Sequence, residues 1–223
     1  TIIEIFLLLF GGMPLFDSIT LSLGTAGTGG FGIKNDSIAS YSTYCQVIIT
    51  IFMILFGINF SAYFLILTRK FRQAFRIEEI RVYLGVIFVF AGLIAFNVRP
   101  MFGSLRESFH HSLFQVASII TTTGFATCDF DLWPSLSKCV LVLLMLVGAC
   151  AGSTGGGIKI SRVLILIKRA GEELHKFIFP NSVTKIRLEK KILDREVVHT
   201  TSAFLIVYVF IFAISTLLVS AEG

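Results

Sequence analysis

The stretch Gly24 to Gly32 reads GTAGTGGFG and contains Gly27-x-Gly29-x-x-Gly32, a glycine spacing that supports two different chemistries. After a strand, at the opening of a helix and with an acid about 20 residues later, it forms a phosphate-binding turn. At membrane depth, glycines and threonines instead let a non-helical backbone aim its carbonyl oxygens inward and replace the water around a desolvated monovalent cation. Here an amphipathic segment precedes the glycines, Lys34-Asn-Asp36 follows them, and the residues around position 50 are uncharged. The requirements of the phosphate turn are therefore not met. A related bend, Thr121-Thr-Thr-Gly124, and a third glycine cluster, Gly152-Ser-Thr-Gly-Gly-Gly157, lie further along. The third runs into Gly-Ile-Lys159 rather than the Gly-Lys-Ser/Thr of a nucleotide-binding loop, so nucleotide binding by this chain is not expected.

Composition places these bends in a membrane. The 223 residues are 55% hydrophobic and 15% charged, against about 25% charged in an ordinary soluble domain. A span needs about 20 apolar residues. Residues 44–67 and 197–219 qualify, 82–98 is near the lower limit, and 2–10 reads as the outer end of a helix. Residues 139–167 are long enough but are interrupted by the glycines at 152–157. Met13–Leu23 and Leu105–Ile120 are shorter, carry charges and run into the two bends, as re-entrant half-helices would. Pro14 with Asp17 suits the start of the first, and Ser104-Leu-Arg-Glu107 has capping-box spacing for the second. No signal peptide is expected, and the chain reads as a piece of a longer polypeptide.

Basic residues cluster at 69–81 and 168–195, which places both connectors on the cytoplasmic side. They lie between spans rather than on a compact basic domain, so no nucleic-acid partner is expected. At an offset of 94, Ser18 aligns with Ser112, Gly30 with Gly124, Phe31 with Phe125 and Cys45 with Cys139, and the order of elements repeats with them. Both bends fall on one side of the membrane, so the repeats are parallel and suit half-helices converging on a central pore. The half-helices would enter from outside and point their C-terminal, negative ends toward the midplane, which favours a cation there. An anion carrier would present N-termini instead.

Other chemistry-bearing residues point elsewhere. His110 and His111 lack further ligands nearby and read as solvated or interfacial rather than metal-binding. Cys45, Cys128, Cys139 and Cys150 show no paired spacing. Asp17, Asp36, Glu107, Asp129 and Asp131 gather toward the outer mouth, as cation-attracting charges or as caps. Trp133-Pro134 reads as an interfacial anchor, and Lys159 and Arg162 either hold the glycine stretch or snorkel. An enzyme would need an acid after the first glycine cluster or a cofactor-ligating His/Cys set, and the sequence has neither.

The segments FDSITLSLGTAGTGGFGIKNDS, TTTGFATCDFDLWP and GACAGSTGGGIKISR, in this order, resemble the Trk/Ktr/HKT superfamily of potassium transporters, most closely the bacterial TrkH type. The resemblance implies an all-α polytopic membrane protein with repeated helix, re-entrant pore-helix, helix units around a pseudo-fourfold pore, incomplete in this chain. Residues 1–75 correspond to the second unit, 76–170 to the third, and 171–223 to a cytoplasmic connector and the first helix of a further unit. Gly27, Thr28, Gly29 and Gly30 would form one potassium filter strand and Thr121, Thr122, Thr123 and Gly124 another. Gly148 and Gly152, Ser153, Thr154, Gly155, Gly156, Gly157, followed by Lys159, would form a gating intramembrane loop. Also implied are potassium uptake without catalytic residues or cofactor, a bacterial inner-membrane location, a homodimer, and a cytoplasmic nucleotide-binding regulatory subunit docking near 168–195. Channel versus ion-coupled transport, and potassium versus sodium permeation, stay open.

Overall fold

A computed structural model of the protein describes residues 1–179, 186–188 and 191–221. Ten α-helices run along these residues: α1 (Ile2–Phe10), α2 (Leu15–Ala26), α3 (Thr43–Phe56), α4 (Phe60–Leu67), the single turn α5 (Phe71–Ala74), α6 (Glu78–Phe102), α7 (Leu105–Ile120), α8 (Ser135–Leu146), α9 (Ile160–Ile178) and α10 (Arg195–Ala221), with a short 3-10 helix at Phe130–Leu132. A two-residue hairpin, β1 (Arg187–Leu188) with β2 (Lys191–Ile192), is the strand structure among the described residues. The chain divides into two compact units, Thr1–Ile160 and Ser161–Gly223. Part of the 168–195 connector, at 180–185 and 189–190, lies outside the described residues.

Local chemistry explains most boundaries. Pro14 stands at the N-cap of α2, with Asp17 in the first turn facing the positive helix end. Ser42 Oγ accepts from the Cys45 N–H at 3.4 Å and starts α3. Gly103, in the left-handed region at φ 68°, ends α6 with its N–H on the Arg99 carbonyl. The capping box expected at Ser104 is not formed: its side chain makes no cap bond, and its carbonyl instead accepts from both the N–H and the hydroxyl of Ser108.

Alone, α6 and α10 are long and apolar enough to cross a membrane. The expected span 44–67 is instead two helices, α3 and α4, bent by 93° at Gly57-Ile58-Asn59. No proline causes this elbow. Gly57 lies where a Cβ would overlap the Tyr83 hydroxyl, and Asn59 Oδ1 accepts from the Ser61 N–H at 2.8 Å, starting α4 in a new direction. The span expected at 82–98 extends over Glu78–Phe102.

In the first unit, Leu8, Met13, Leu21, Ile49, Met53, Phe114 and Phe125 form a core that joins α1, α2, α3 and α7. The half-helices α2 and α7 are thereby fixed from behind, so that the bends following them are held rather than draped. Large apolar side chains such as Ile2, Phe6, Phe16, Phe64, Phe88 and Phe96 face outward, which suits hydrocarbon surroundings and not water. In the second unit, Arg162 stacks on the Phe204 ring at 4.2 Å, Arg169 donates to Ser202, and Lys176 pairs with Glu172 at 2.9 Å.

Candidate functional site

The two bends have the same backbone. Gly27 and Thr121 close α2 and α7 with φ/ψ of −83/−3° and −83/−5°. The next residues, Thr28 and Thr122, are both left-handed at φ 49° and 58°, and Gly30 and Gly124 are left-handed at 67° and 88°. Gly29 donates to the Gly24 carbonyl and Thr123 to the Ser118 carbonyl, each at 2.9 Å, which satisfies helix-end acceptors. A left-handed conformation costs an L-residue roughly 1–2 kcal/mol, so β-branched Thr28 and Thr122 are notable there. Each is stabilised locally by its own hydroxyl, which donates to the preceding carbonyl at 2.8 Å for Thr28 and 2.6 Å for Thr122.

The bends also meet. A Cβ on Gly30 would overlap the Thr123 carbonyl oxygen, so glycine is required there for close backbone approach as well as for its φ. Within the second bend, the Thr121 hydroxyl donates to the Ala117 carbonyl at 2.7 Å and lies 2.8 Å from the Thr123 hydroxyl, and both side chains are buried. Those two hydroxyls are engaged inside the protein.

The glycine stretch is a stapled loop between α8 and α9. Gly148 donates to the Ile158 carbonyl at 2.7 Å, Ile158 to Leu146 at 3.3 Å and Ile160 to Ala149 at 3.2 Å. A Cβ on Gly148 would overlap the Gly156 carbonyl, so the neck closes only because these residues lack side chains. Gly152 and Gly157 turn the chain at φ 69° and 71°. Lys159 donates to the Gly155 carbonyl within the same loop.

The loop lies against both bends through equivalent threonines. Thr28 Oγ1 shares its proton between the Gly27 carbonyl and, at 3.2 Å, the Thr154 carbonyl, and Thr122 Oγ1 accepts from the Gly156 N–H at 2.6 Å. On another side, Cys150 donates to the Gly57 carbonyl at 3.0 Å and Phe60 to the Gly152 carbonyl at 3.1 Å. Between them, Ala151 donates to Glu79 Oε1 at 2.6 Å. All sixteen residues singled out from the sequence thus fall in one connected assembly of two bends and a loop.

Three features of the site were not anticipated. Glu79 is 4% exposed despite its charge; a glutamate directly before a long apolar span was the available signal. Glu4 is fully buried in α1, beside Thr25 in the last turn before the first bend. A carboxylate inside an apolar run marks such a position. The third feature is the α3–α4 elbow, which the absence of charge and proline across 44–67 conceals.

Several other candidates have partners inside the protein. His110 Nε2 lies 2.8 Å from Gln46 Oε1 and His111 Nδ1 lies 2.9 Å from Thr127 Oγ1, and no His/Cys/Asp/Glu group able to hold a metal occurs among the described residues. Asp17 accepts from the Tyr41 hydroxyl at 2.7 Å; burial first, and then this carboxylate, hold that hydroxyl protonated beyond the usual tyrosine range. Burial likewise raises the Cys128 thiol. Trp133 is buried within the protein rather than exposed as an interfacial anchor.

A family model described as TrkH, cation transport protein, matches residues 86–223. The Trk system potassium uptake proteins TrkH of Salmonella typhimurium and of Escherichia coli K12 are each 33% identical, over 219 and 218 residues. These alignments cover 96% of this chain and 45% of each relative. The crystal structure of the potassium transporter TrkH from Vibrio parahaemolyticus superposes with a TM-score of 0.93 at 28% identity, covering all of this chain and 49% of that one. The chain therefore spans under half the length of these relatives.

Proposed function

The chain belongs to the TrkH cation transport family, and from that premise we propose that it contributes two walls of a potassium pathway in a multi-pass membrane protein. Residues 27–30 and 121–124 are the filter strands, and the loop from Gly148 to Lys159 is the gate beneath them. Residues 1–75 and 76–170 are two pore units, and 171–223 supply a connector and the first helix of a further unit. Conduction makes and breaks no covalent bond, so no catalytic residue and no cofactor are called for.

The observation that carries this reading is the backbone identity of the bends together with the loop that binds both. Two segments with little sequence identity adopt the same left-handed, glycine-dependent conformation at the C-terminal ends of half-helices, where carbonyls and helix dipoles favour a cation. Phe125 adds support: it is fully buried and meets Gly24 of the neighbouring half-helix, while its repeat equivalent Phe31 is 78% exposed. That asymmetry suits two adjacent members of a ring whose next member covers Phe31.

The same proposal places the connectors 69–81 and 168–195 in the cytoplasm of a bacterial cell, with the protein in the inner membrane. It makes the second connector the docking surface for a nucleotide-binding regulatory subunit, and the assembly a homodimer. The test is Gly124→Ser in the full-length protein, with potassium uptake and the potassium/sodium ratio as readouts. A side chain at φ 88° shifts the neighbouring carbonyls, so selectivity falls; unchanged uptake and ratio would sink the filter assignment.

A further inference from the structure

We infer that Glu79 and the α3–α4 elbow form a latch that holds the glycine loop closed, with Glu79 as a positioning residue for the gate. The inference rests on the loop being the gate.

Two stretches of irregular backbone satisfy each other here. Because α3 ends at Phe56 and α4 begins at Phe60, the Gly57 carbonyl and the Phe60 N–H fall outside regular helix. Unpaired groups of this kind are costly at membrane depth. Their partners are the Cys150 N–H and the Gly152 carbonyl, at 3.0 and 3.1 Å. The N–H of the residue between, Ala151, is taken by Glu79 Oε1 at 2.6 Å. Three consecutive loop residues are thus gripped by one elbow and one carboxylate. The elbow itself is held by its close fit to Tyr83, which stands on the same helix as Glu79.

Glu79 is suited to this task. It lies in the first turn of α6, where the positive helix end favours a carboxylate, and a bond from an N–H to a carboxylate is about twice as strong as a neutral one. The filter-facing contacts, Thr28 to Thr154 and Thr122 to Gly156, are on a different part of the loop. Releasing the latch therefore frees residues 150–152 without directly removing a filter contact.

Cys150, buried in the closed loop, reports the release. In the full-length protein in proteoliposomes, with every other cysteine replaced by alanine, the rate at which a charged methanethiosulfonate modifies Cys150 is measured beside rubidium flux and potassium/sodium selectivity. Loss of a charge-assisted bond implies that Glu79→Ala raises the modification rate about tenfold or more, with higher flux and unchanged selectivity. Glu79→Gln, which keeps the shape and one carbonyl acceptor, gives a smaller rise of about threefold by the same reasoning; it carries the test should the alanine variant fail to reach the membrane. A wild-type Cys150 rate in Glu79→Gln and in any folded Glu79→Ala overturns the latch. The control is a loop shortened across Gly152–Gly157. If shortening raises flux while the Glu79 variants do nothing, the latch fails and the gate survives; if shortening leaves flux unchanged, the gate reading itself fails.

Discussion

At the residue scale, Thr28 and Thr122 connect the two bends to the glycine loop. Each occupies a left-handed position that a β-branched residue avoids, each bonds the preceding carbonyl through its hydroxyl, and each meets the loop. The hydroxyl, not the methyl, should therefore matter. Thr122→Ser is expected to keep near-wild-type uptake, because it retains both bonds of the hydroxyl. Thr122→Val should lower thermal stability by about 1–3 kcal/mol through loss of those bonds and should alter the potassium/sodium ratio. Melting curves and uptake of the two full-length variants decide it, and equal behaviour would show that the hydroxyl is not what holds the bend. The threonines were legible in the sequence as members of the two Thr/Gly bends. Their attachment to the loop was not, because residues 28 and 154 are 126 positions apart.

At the element scale, the elbow after α3 is the clearest departure from the sequence reading. No charge or proline interrupts residues 44–67, yet the helix turns by 93° at Gly57-Ile58-Asn59. The turn is set by neighbours: the Tyr83 hydroxyl, which donates to the Ile54 carbonyl at 3.1 Å, occupies the space a Cβ at position 57 would need. Gly57→Ala should therefore destabilise by about 1–3 kcal/mol through overpacking. Tyr83→Phe, which removes the obstructing oxygen, should recover much of that loss, giving a coupling energy of at least about 0.5 kcal/mol in a double-mutant cycle. Additive effects would mean that the elbow has another cause. By contrast, α7 lies where its charges and apolar spacing place it, at Leu105–Ile120, because its limits are local: a glycine before it and a Thr/Gly bend after it.

At the scale of the whole molecule, repeat and topology are linked. A parallel repeat requires that the loop carrying Lys34 and the loop carrying Asp129 lie on one side of the membrane, with the 69–81 connector on the other. Single cysteines introduced at Asp36 and at Asp129 should react with an impermeant thiol reagent in intact cells, and one at Arg72 only after permeabilisation. Reaction at Arg72 in intact cells would overturn the assigned orientation. The contrast between buried Phe125 and exposed Phe31 belongs to this scale too, since equivalent Gly-Phe pairs meet different surroundings at the two bends.

The sequence by itself determined the class of molecule, the repeat, the positions of both bends and the interruption of the inner helix at the glycines. Hydropathy, glycine content and charge asymmetry act locally or over one span, so they survive projection onto a linear string. Only the tertiary structure decided that the inner helix of the first unit is also broken, that Glu79 reaches a loop 72 residues away, and that equivalent threonines join that loop to both bends. These depend on side chains and irregular backbone finding partners far away along the chain. At membrane depth no water competes for those groups, so the pairing is strong, and nothing in the order of residues records which partner each one meets.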